Sequence, residues 1–73
     1  MNEKKTDQEI EAIELALITL SNIISRYLPE KKIDQLLIQV ADTYNDPSGA
    51  NTTTSDLLLS MASSAAKGRG ASN

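Results

Sequence analysis

Cysteine and histidine, two residue types that carry much enzyme chemistry, are missing from this chain of 73 residues. The sequence contains no cysteine, histidine, tryptophan or phenylalanine, and its only aromatic residues are two tyrosines. Without thiol or imidazole groups there is no cysteine nucleophile, histidine base, disulfide or zinc-finger site. We therefore predict no catalytic residue, no cofactor-binding residue and no metal ligand, and the protein is not expected to be an enzyme.

The segment 42–51 is the part of the chain most like a cation-binding loop. An EF-hand loop has glycine at its position 6 and glutamate at its position 12. With Gly49 at position 6, position 12 is Ser55, so the template fails. The segment is instead predicted to be a solvated turn. Its oxygen-bearing side chains include Asp42, Asn45, Asp46, Ser48 and Asn51.

Arg26, Lys31 and Lys32 form the densest group of basic residues. The whole chain is nevertheless acidic, with a net charge of −3 and a pI near 4.7. Nucleic-acid binding depends on a basic patch that neutralises phosphates, and no basic residue lies between Asp34 and Ala66. Nucleic acid is therefore not the expected partner. A dimer that joins two copies of the basic turn is kept as an alternative.

The first long element is predicted to be an amphipathic helix over residues 7–27. Thr6 and Glu9 have the spacing of a capping box, and acidic residues fill the first turns, where the helix dipole favours them. Apolar residues then follow at intervals of 3, 4, 3, 4 and 3, which is the pattern of a coiled-coil seam. This heptad stripe consists of Ile10, Ile13, Leu17, Leu20, Ile24 and Tyr27.

Helix 1 has more apolar surface than one seam needs. Leu15, Ile18 and Ile23 lie outside the heptad stripe, so the middle of the helix is apolar around most of its circumference. A core of this size rarely supplies more than about 3–5 kcal/mol, and oligomerisation is a common remedy. We therefore predict a homodimer through helix 1. The heptad stripe and these three residues are its predicted oligomer or partner interface.

The dipeptide Leu28-Pro29 separates helix 1 from helix 2. Proline disfavours helical geometry in the residue before it and is favourable at the first position of a helix. Helix 2 is predicted over 29–44, with an amphipathic stripe from Ile33 to Tyr44. The short connection favours an antiparallel hairpin of helices 1 and 2. One long helix kinked at Pro29 is the alternative.

A loop, a third helix and two tails complete the chain. Turn-forming residues predict a loop over 45–53, and a second capping box predicts helix 3 over 54–67. Gly68 is expected to stop this helix. Residues 1–5 and 68–73 are predicted to be disordered. Helix 3 is expected to bury Leu57, Leu58, Met61, Ala62 and Ala65.

The sequence predicts a cytoplasmic protein without a membrane partner. The most apolar stretch, 15–24, includes polar residues and is shorter than the about 20 residues that span a bilayer. The chain opens with carboxylate-rich residues, whereas a secretory signal has a basic start followed by an apolar run.

The segment 9–17, Glu-Ile-Glu-Ala-Ile-Glu-Leu-Ala-Leu, resembles the central helix of the enterobacterial sigma-S-stabilising anti-adaptor family. In that family a second helix, a polar Asp/Pro loop and a short leucine-containing helix follow. The parts of this chain in comparable order are 33–40, Asp46-Pro47 and Leu57-Leu58. The similarity covers residues 8–67. This chain lacks the charged N-terminal helix extension and the basic C-terminal end of that family. It implies a protein that sequesters an adaptor and so blocks delivery of a client for proteolysis.

The sequence therefore predicts an all-α module of three helices in one domain, residues 6–67, that forms a homodimer. The expected function is contact with another protein, as a small acidic regulator or inhibitor of bacterial or phage type. One alternative is a dimeric nucleic-acid-associated regulator that uses Arg26, Lys31 and Lys32. Another is a structural subunit of a closed oligomer.

Overall fold

Helices make up nearly all of the chain that the computed structural model describes, residues 3–45 and 52–71. α1 is Glu3–Tyr27, α2 is Ile33–Thr43 and α3 is Thr52–Ala71, and a short 3-10 turn, Pro29–Lys31, lies between α1 and α2. No strand is present in these two ranges. The predicted all-α class with three helices is confirmed.

α1 begins earlier than the capping box predicts. Its first residue is Glu3, so Thr6 lies inside the helix. The predicted disorder of the first residues is wrong for 3–5, which are helical. Glu3, Lys4 and Lys5 have straight side chains that lose little freedom in a helix, so the helix extends through them. A capping-box spacing therefore does not mark the helix start where good helix formers precede it.

The chain reverses between α1 and α2 at a residue in left-handed conformation. Pro29 opens one 3-10 turn, as proline favours. Lys32 then has a φ of 51° and ends the turn, so α2 begins at Ile33 and not at Pro29 as predicted. Because a left-handed residue cannot continue a right-handed helix, the alternative of one kinked helix is wrong.

α3 is longer than predicted at both ends. It begins at Thr52 and continues through Gly68 to Ala71. Gly68 does not stop the helix, because it is buried against α1 at a point where a side chain would overlap the carbonyl group of Asn22. The predicted disorder of 68–73 is therefore wrong as far as Ala71. The predictions for residues 1–2, 46–51 and 72–73 lie outside the described residues.

α1 and α3 pack side by side and run in the same direction. Ser64 of α3 contacts Ile18 of α1, and Gly68, one turn further along α3, lies against Asn22, one turn further along α1. The Ser64 hydroxyl donates a hydrogen bond of 2.8 Å to the Ile18 carbonyl oxygen. The Asn22 side-chain amide donates one of 2.9 Å to the Ser64 carbonyl oxygen. These two bonds fix the register of the α1–α3 contact.

α2 packs on the other side of α3 and runs in the opposite direction. Asp34 at the start of α2 binds Arg69 near the end of α3. Ala41 near the end of α2 and Ser55 near the start of α3 line one cleft. α3 thus separates α1 from α2, which scarcely touch each other. α1 and α2 are antiparallel as predicted, but they do not pack directly on each other.

The interior of the single chain is built from small side chains. Ser25 is the largest side chain that is fully enclosed, and no described leucine, isoleucine, valine, methionine or tyrosine is buried. Small residues let two helix backbones approach closely, but they remove little apolar area from water. One chain alone therefore has no core of large side chains. The buried residues among those described are Ser21, Ser25, Asp34, Ala41, Ser55, Ala62, Ala65 and Gly68.

An ion pair joins the start of α2 to the end of α3. Arg69 Nη2 lies 2.9 Å from Asp34 Oδ2, and the side chain of Asp34 is only 10% exposed. The second carboxylate oxygen, Oδ1, is buried and has no hydrogen-bond partner. Arg69 is therefore the group that compensates for the burial of this carboxylate.

Arg69→Met is expected to lower the free energy of unfolding by about 1–3 kcal/mol, because it leaves the buried Asp34 carboxylate without a partner. Urea denaturation followed by circular dichroism measures the change. Lys67→Met is the control, since Lys67 is an exposed cation two residues away in the same helix, and its effect should stay within about 0.5 kcal/mol. Equal effects of the two substitutions would contradict a stabilising role for the ion pair.

The three helices form a single layer. α1, α3 and α2 lie side by side in that order, with little contact between α1 and α2, and the Cα atoms occupy 46 × 29 × 12 Å. The radius of gyration is 13.7 Å, against about 11 Å for a compact domain of the same length. Stable domains usually pack at least two layers of secondary structure around a core. The single layer leaves both of its faces open.

Candidate protein-binding face

Large apolar side chains lie on the outside of the layer. Tyr27 is 77% exposed, Leu15 60% and Ile13 59%. Scattered apolar residues are ordinary on protein surfaces, whereas contiguous apolar patches mark interaction sites. The arrangement of these residues is therefore what matters. The exposed large apolar residues are Ile10, Ile13, Leu15, Leu20, Ile23, Ile24, Tyr27, Leu28, Leu36, Ile38, Val40, Tyr44 and Leu59.

On α1, the heptad stripe does not point at α3. The side of α1 that packs against α3 is marked by the two buried serines, Ser21 and Ser25. At 3.6 residues per turn, the heptad stripe is rotated from that side by roughly 90°. Leu20 and Ile24 are accordingly exposed, and Leu17, which is nearer to α3, is half-buried. The predicted seam thus lies on one open face of the layer.

Apolar side chains of α2 and α3 lie on the same face of the layer as the heptad stripe of α1. With α3 parallel to α1 and α2 antiparallel to both, helical periodicity places Val40 of α2 and Met61 of α3 on the same side of the layer as Leu20. None of the side chains on this face is charged, and none is fully buried. We name it the apolar face. Its residues are Ile13, Leu17, Leu20, Ile24, Ile33, Leu37, Val40, Tyr44, Leu58 and Met61.

The opposite side, which we name the polar face, carries charged, amide and hydroxyl side chains. The same periodicity assigns residues of all three helices to it, and those that define it are exposed. The same side also presents Leu15, Ile38 and Leu59, which are exposed, so large apolar residues are concentrated on the apolar face but are not confined to it. The residues of the polar face are Glu11, Thr19, Arg26, Gln35, Asp42, Asp56, Ser63 and Lys67.

The nine residues predicted as an interface lie in four different places on the layer. The heptad stripe lies on the apolar face or beside it. Ile18 is half-buried against α3, where its carbonyl oxygen accepts the hydrogen bond from Ser64. Ile23 lies on the outer edge of α1, and Leu15 lies on the side of the polar face; both are exposed. Sequence analysis did not foresee that residues of α2 and α3 continue the heptad stripe into one wider surface.

The basic turn lies at the end of the layer where α1 stops. Arg26, Lys31 and Lys32 are exposed there. Arg26 donates a hydrogen bond of 3.1 Å to the side-chain oxygen of Asn22. The carboxylate of Glu30 is exposed in the same turn. The turn therefore presents both signs of charge and not a continuous basic patch.

Neither a metal-binding cluster nor a membrane-spanning helix is found in the described ranges, 3–45 and 52–71. No group of three or more histidine, cysteine, aspartate or glutamate residues is placed there to hold a metal ion. None of the helices in those ranges combines the length and the apolar character needed to cross a bilayer.

The accessible area of the chain exceeds that of a typical folded monomer. It amounts to 5372 Å², whereas about 4,400 Å² is expected for a monomer of this mass. An open layer of helices encloses less of its own surface than a compact domain does, which is consistent with this larger area.

Comparison with protein families, curated proteins and solved structures gives no match. The resemblance to the anti-adaptor family stays a prediction from the sequence. The proposed function therefore rests on the surface that the described residues form.

Proposed function

We propose that this protein is an interaction module that works by burying its apolar face against another protein chain, as a small regulator or inhibitor. The observation that supports this most is the distribution of side-chain size. Apart from Asp34, the buried residues are alanine, serine and glycine, while the described leucine, isoleucine and tyrosine residues are half-buried or exposed. Burial stabilises a fold by about 25 cal/mol per Å² of apolar surface, so the largest gain open to this chain comes from covering that face.

The composition of the apolar face favours a protein partner over a nucleic acid. Its residues in all three helices are uncharged, and phosphate contacts need cations. The exposed cations Arg26, Lys31 and Lys32 lie beside the carboxylate of Glu30 at one end of the layer. Protein interfaces, in contrast, have apolar centres enriched in aromatic residues and methionine. Tyr44 and Met61 provide both types on this face.

Site-specific photo-crosslinking tests the proposal. Tyr44, on the apolar face of α2, is replaced by benzoylphenylalanine, which is similar in shape and reacts only with groups in contact with it. Irradiation in cells that naturally make the protein is expected to produce adducts with a protein, either this chain or another. Mass spectrometry of the adducts identifies the contacting chain.

Asp42 is the matched control, because it lies two residues away in α2 on the polar face and is exposed. The same replacement at Asp42 should give little protein adduct. Absence of protein adducts at both positions would overturn the proposed function. So would adducts that form equally at Tyr44 and at Asp42, because the contact would then not depend on the apolar face.

A further inference from the structure

We propose that the chain covering the apolar face is a second copy of this one, stacked face to face with its helices antiparallel to those of the first. This inference rests on the proposed function, since it names the occupant of the same face. The apolar face includes residues of all three helices, so a second copy can contact it across the whole layer. A two-fold axis offers the same face to both copies, as in most homodimers.

The heptad stripe is suited to an antiparallel copy of itself. Its intervals of 3, 4, 3, 4 and 3 are the same from either end, and its centre lies between Leu17 and Leu20. Suppose that α1 of a second copy lies antiparallel to this α1 and that the centres of the two heptad stripes coincide. Leu17 is then opposite Leu20 of the second copy. Ile13 is then opposite Ile24 of the second copy. Each stripe residue thus meets another stripe residue, without a shift in register.

The two ends of the layer carry opposite charge. Carboxylates outnumber cations at the end where α1 and α3 begin, because the first turn of α1 adds only Lys4 and Lys5 to this end. The acidic residues at this end are Asp7, Glu9, Glu11, Glu14, Asp42 and Asp56. The cations at the other end are Arg26, Lys31, Lys32, Lys67 and Arg69, together with the carboxylates Glu30 and Asp34.

This charge distribution favours one direction of the second copy, although Glu11, Arg26, Asp42, Asp56 and Lys67 act from the polar faces, which point away from it. Antiparallel stacking places the acidic end of each copy over the basic end of the other, which is attractive at both ends. Stacking with α1 parallel to α1 places like charges over each other at both ends, and like-charge contacts disfavour association. The two-fold axis is therefore perpendicular to the helices and lies between the two layers.

A two-fold axis in this direction places each helix against the same helix of the second copy. α1 covers α1, α2 covers α2 and α3 covers α3, so the two apolar faces meet along their whole width. Large side chains such as Leu20, Val40 and Met61 then form the centre of a two-layer, six-helix domain. The dimer has the core of large side chains that a single chain lacks.

Cysteine crosslinking tests both the occupant and its direction. The chain contains no cysteine, so Ile13→Cys and Ile24→Cys each introduce a single reactive thiol. The two variants are treated with a short bis-maleimide, first separately and then after mixing. We expect crosslinked dimers in the mixture and few in either variant alone. Light scattering of the unmodified protein should give twice the chain mass of 7.9 kDa.

Two controls and three outcomes make the test decisive. Circular dichroism verifies that each variant is folded, and Ser63→Cys on the polar face should not crosslink. Crosslinking of Ile24→Cys with itself would show parallel helices and overturn the antiparallel arrangement. A monomeric mass would overturn the second copy as occupant, and so would a monomer that binds phosphatidylcholine vesicles.

The photo-crosslinking experiment separates failure of this inference from failure of the proposed function. If the protein is a monomer but Tyr44 forms adducts with a different protein, the proposed function stands and the second copy is wrong. If Tyr44 forms no protein adduct, both are wrong.

Discussion

Gly68→Ala is expected to lower the free energy of unfolding by about 1–3 kcal/mol, the usual effect of inserting atoms into a filled interior. The new Cβ would overlap the carbonyl oxygen of Asn22, a backbone atom that cannot rotate away. Relief requires α1 and α3 to move apart, which stretches the two hydrogen bonds at Ser64. Thermal denaturation would show a lower Tm, by about 4–8 °C for each kcal/mol in a domain of this size.

Gly70→Ala is the matched control for this substitution. It makes the same chemical change two residues further along α3, where an added Cβ meets no atom within 4 Å. Alanine is the better helix former by about 1 kcal/mol, so the control should keep or raise the Tm. A higher Tm for both variants would contradict the close approach of α1 and α3.

The contact surface of α3 is the part of the fold that sequence analysis predicted least well. Large apolar residues usually form cores, so Leu57 and Leu58 were expected to dock this helix, and Gly68 was expected to end it. The predicted burial of Ala62 and Ala65 is confirmed, but Leu57 and Leu58 are only half-buried, and Gly68 is buried in line with the two alanines. Glycine gives no hydrophobic signal, so its part in this stripe is visible only when residue size is considered along with hydropathy.

The helices and the heptad stripe could be predicted because their causes are local. Periodicity and residue preferences act over a few turns, and all three helices are present. The order of packing depends on distant contacts, such as the Ser64–Ile18 hydrogen bond between residues 46 positions apart. Nothing near Ile18 in the sequence shows that α3 will lie beside it. The apolar face could not be outlined in advance for the same reason, because it joins flanks of three helices.

Small interior residues and large exterior ones have one physical explanation in common. Buried residues as small as Ser25, Ala65 and Gly68 let the helices approach closely, and a layer held by such residues does not enclose its own leucines. The same feature that holds the three helices together therefore leaves the apolar face open. Stability and binding are linked in such a fold, because covering the face supplies the burial that the interior does not.

Leu20→Glu is expected to convert the proposed dimer into monomers. In a single chain Leu20 is half-exposed, so the substitution removes little packing within that chain. In the stacked dimer Leu20 lies at the centre of the seam beside Leu17 of the second copy. A carboxylate buried there without a partner costs several kcal/mol, and symmetry places one in each copy. Even about 4 kcal/mol in total would weaken dimerisation about a thousandfold.

Thr19→Glu separates the effect of position from the effect of charge. It adds the same carboxylate to the adjacent residue of α1, which is exposed on the polar face. Sedimentation equilibrium should give the dimer mass for Thr19→Glu and the monomer mass for Leu20→Glu at the same concentration. Dissociation of both variants would assign the effect to added negative charge. Two dimeric variants would show that Leu20 lies outside the interface, because a buried glutamate cannot be tolerated at its centre.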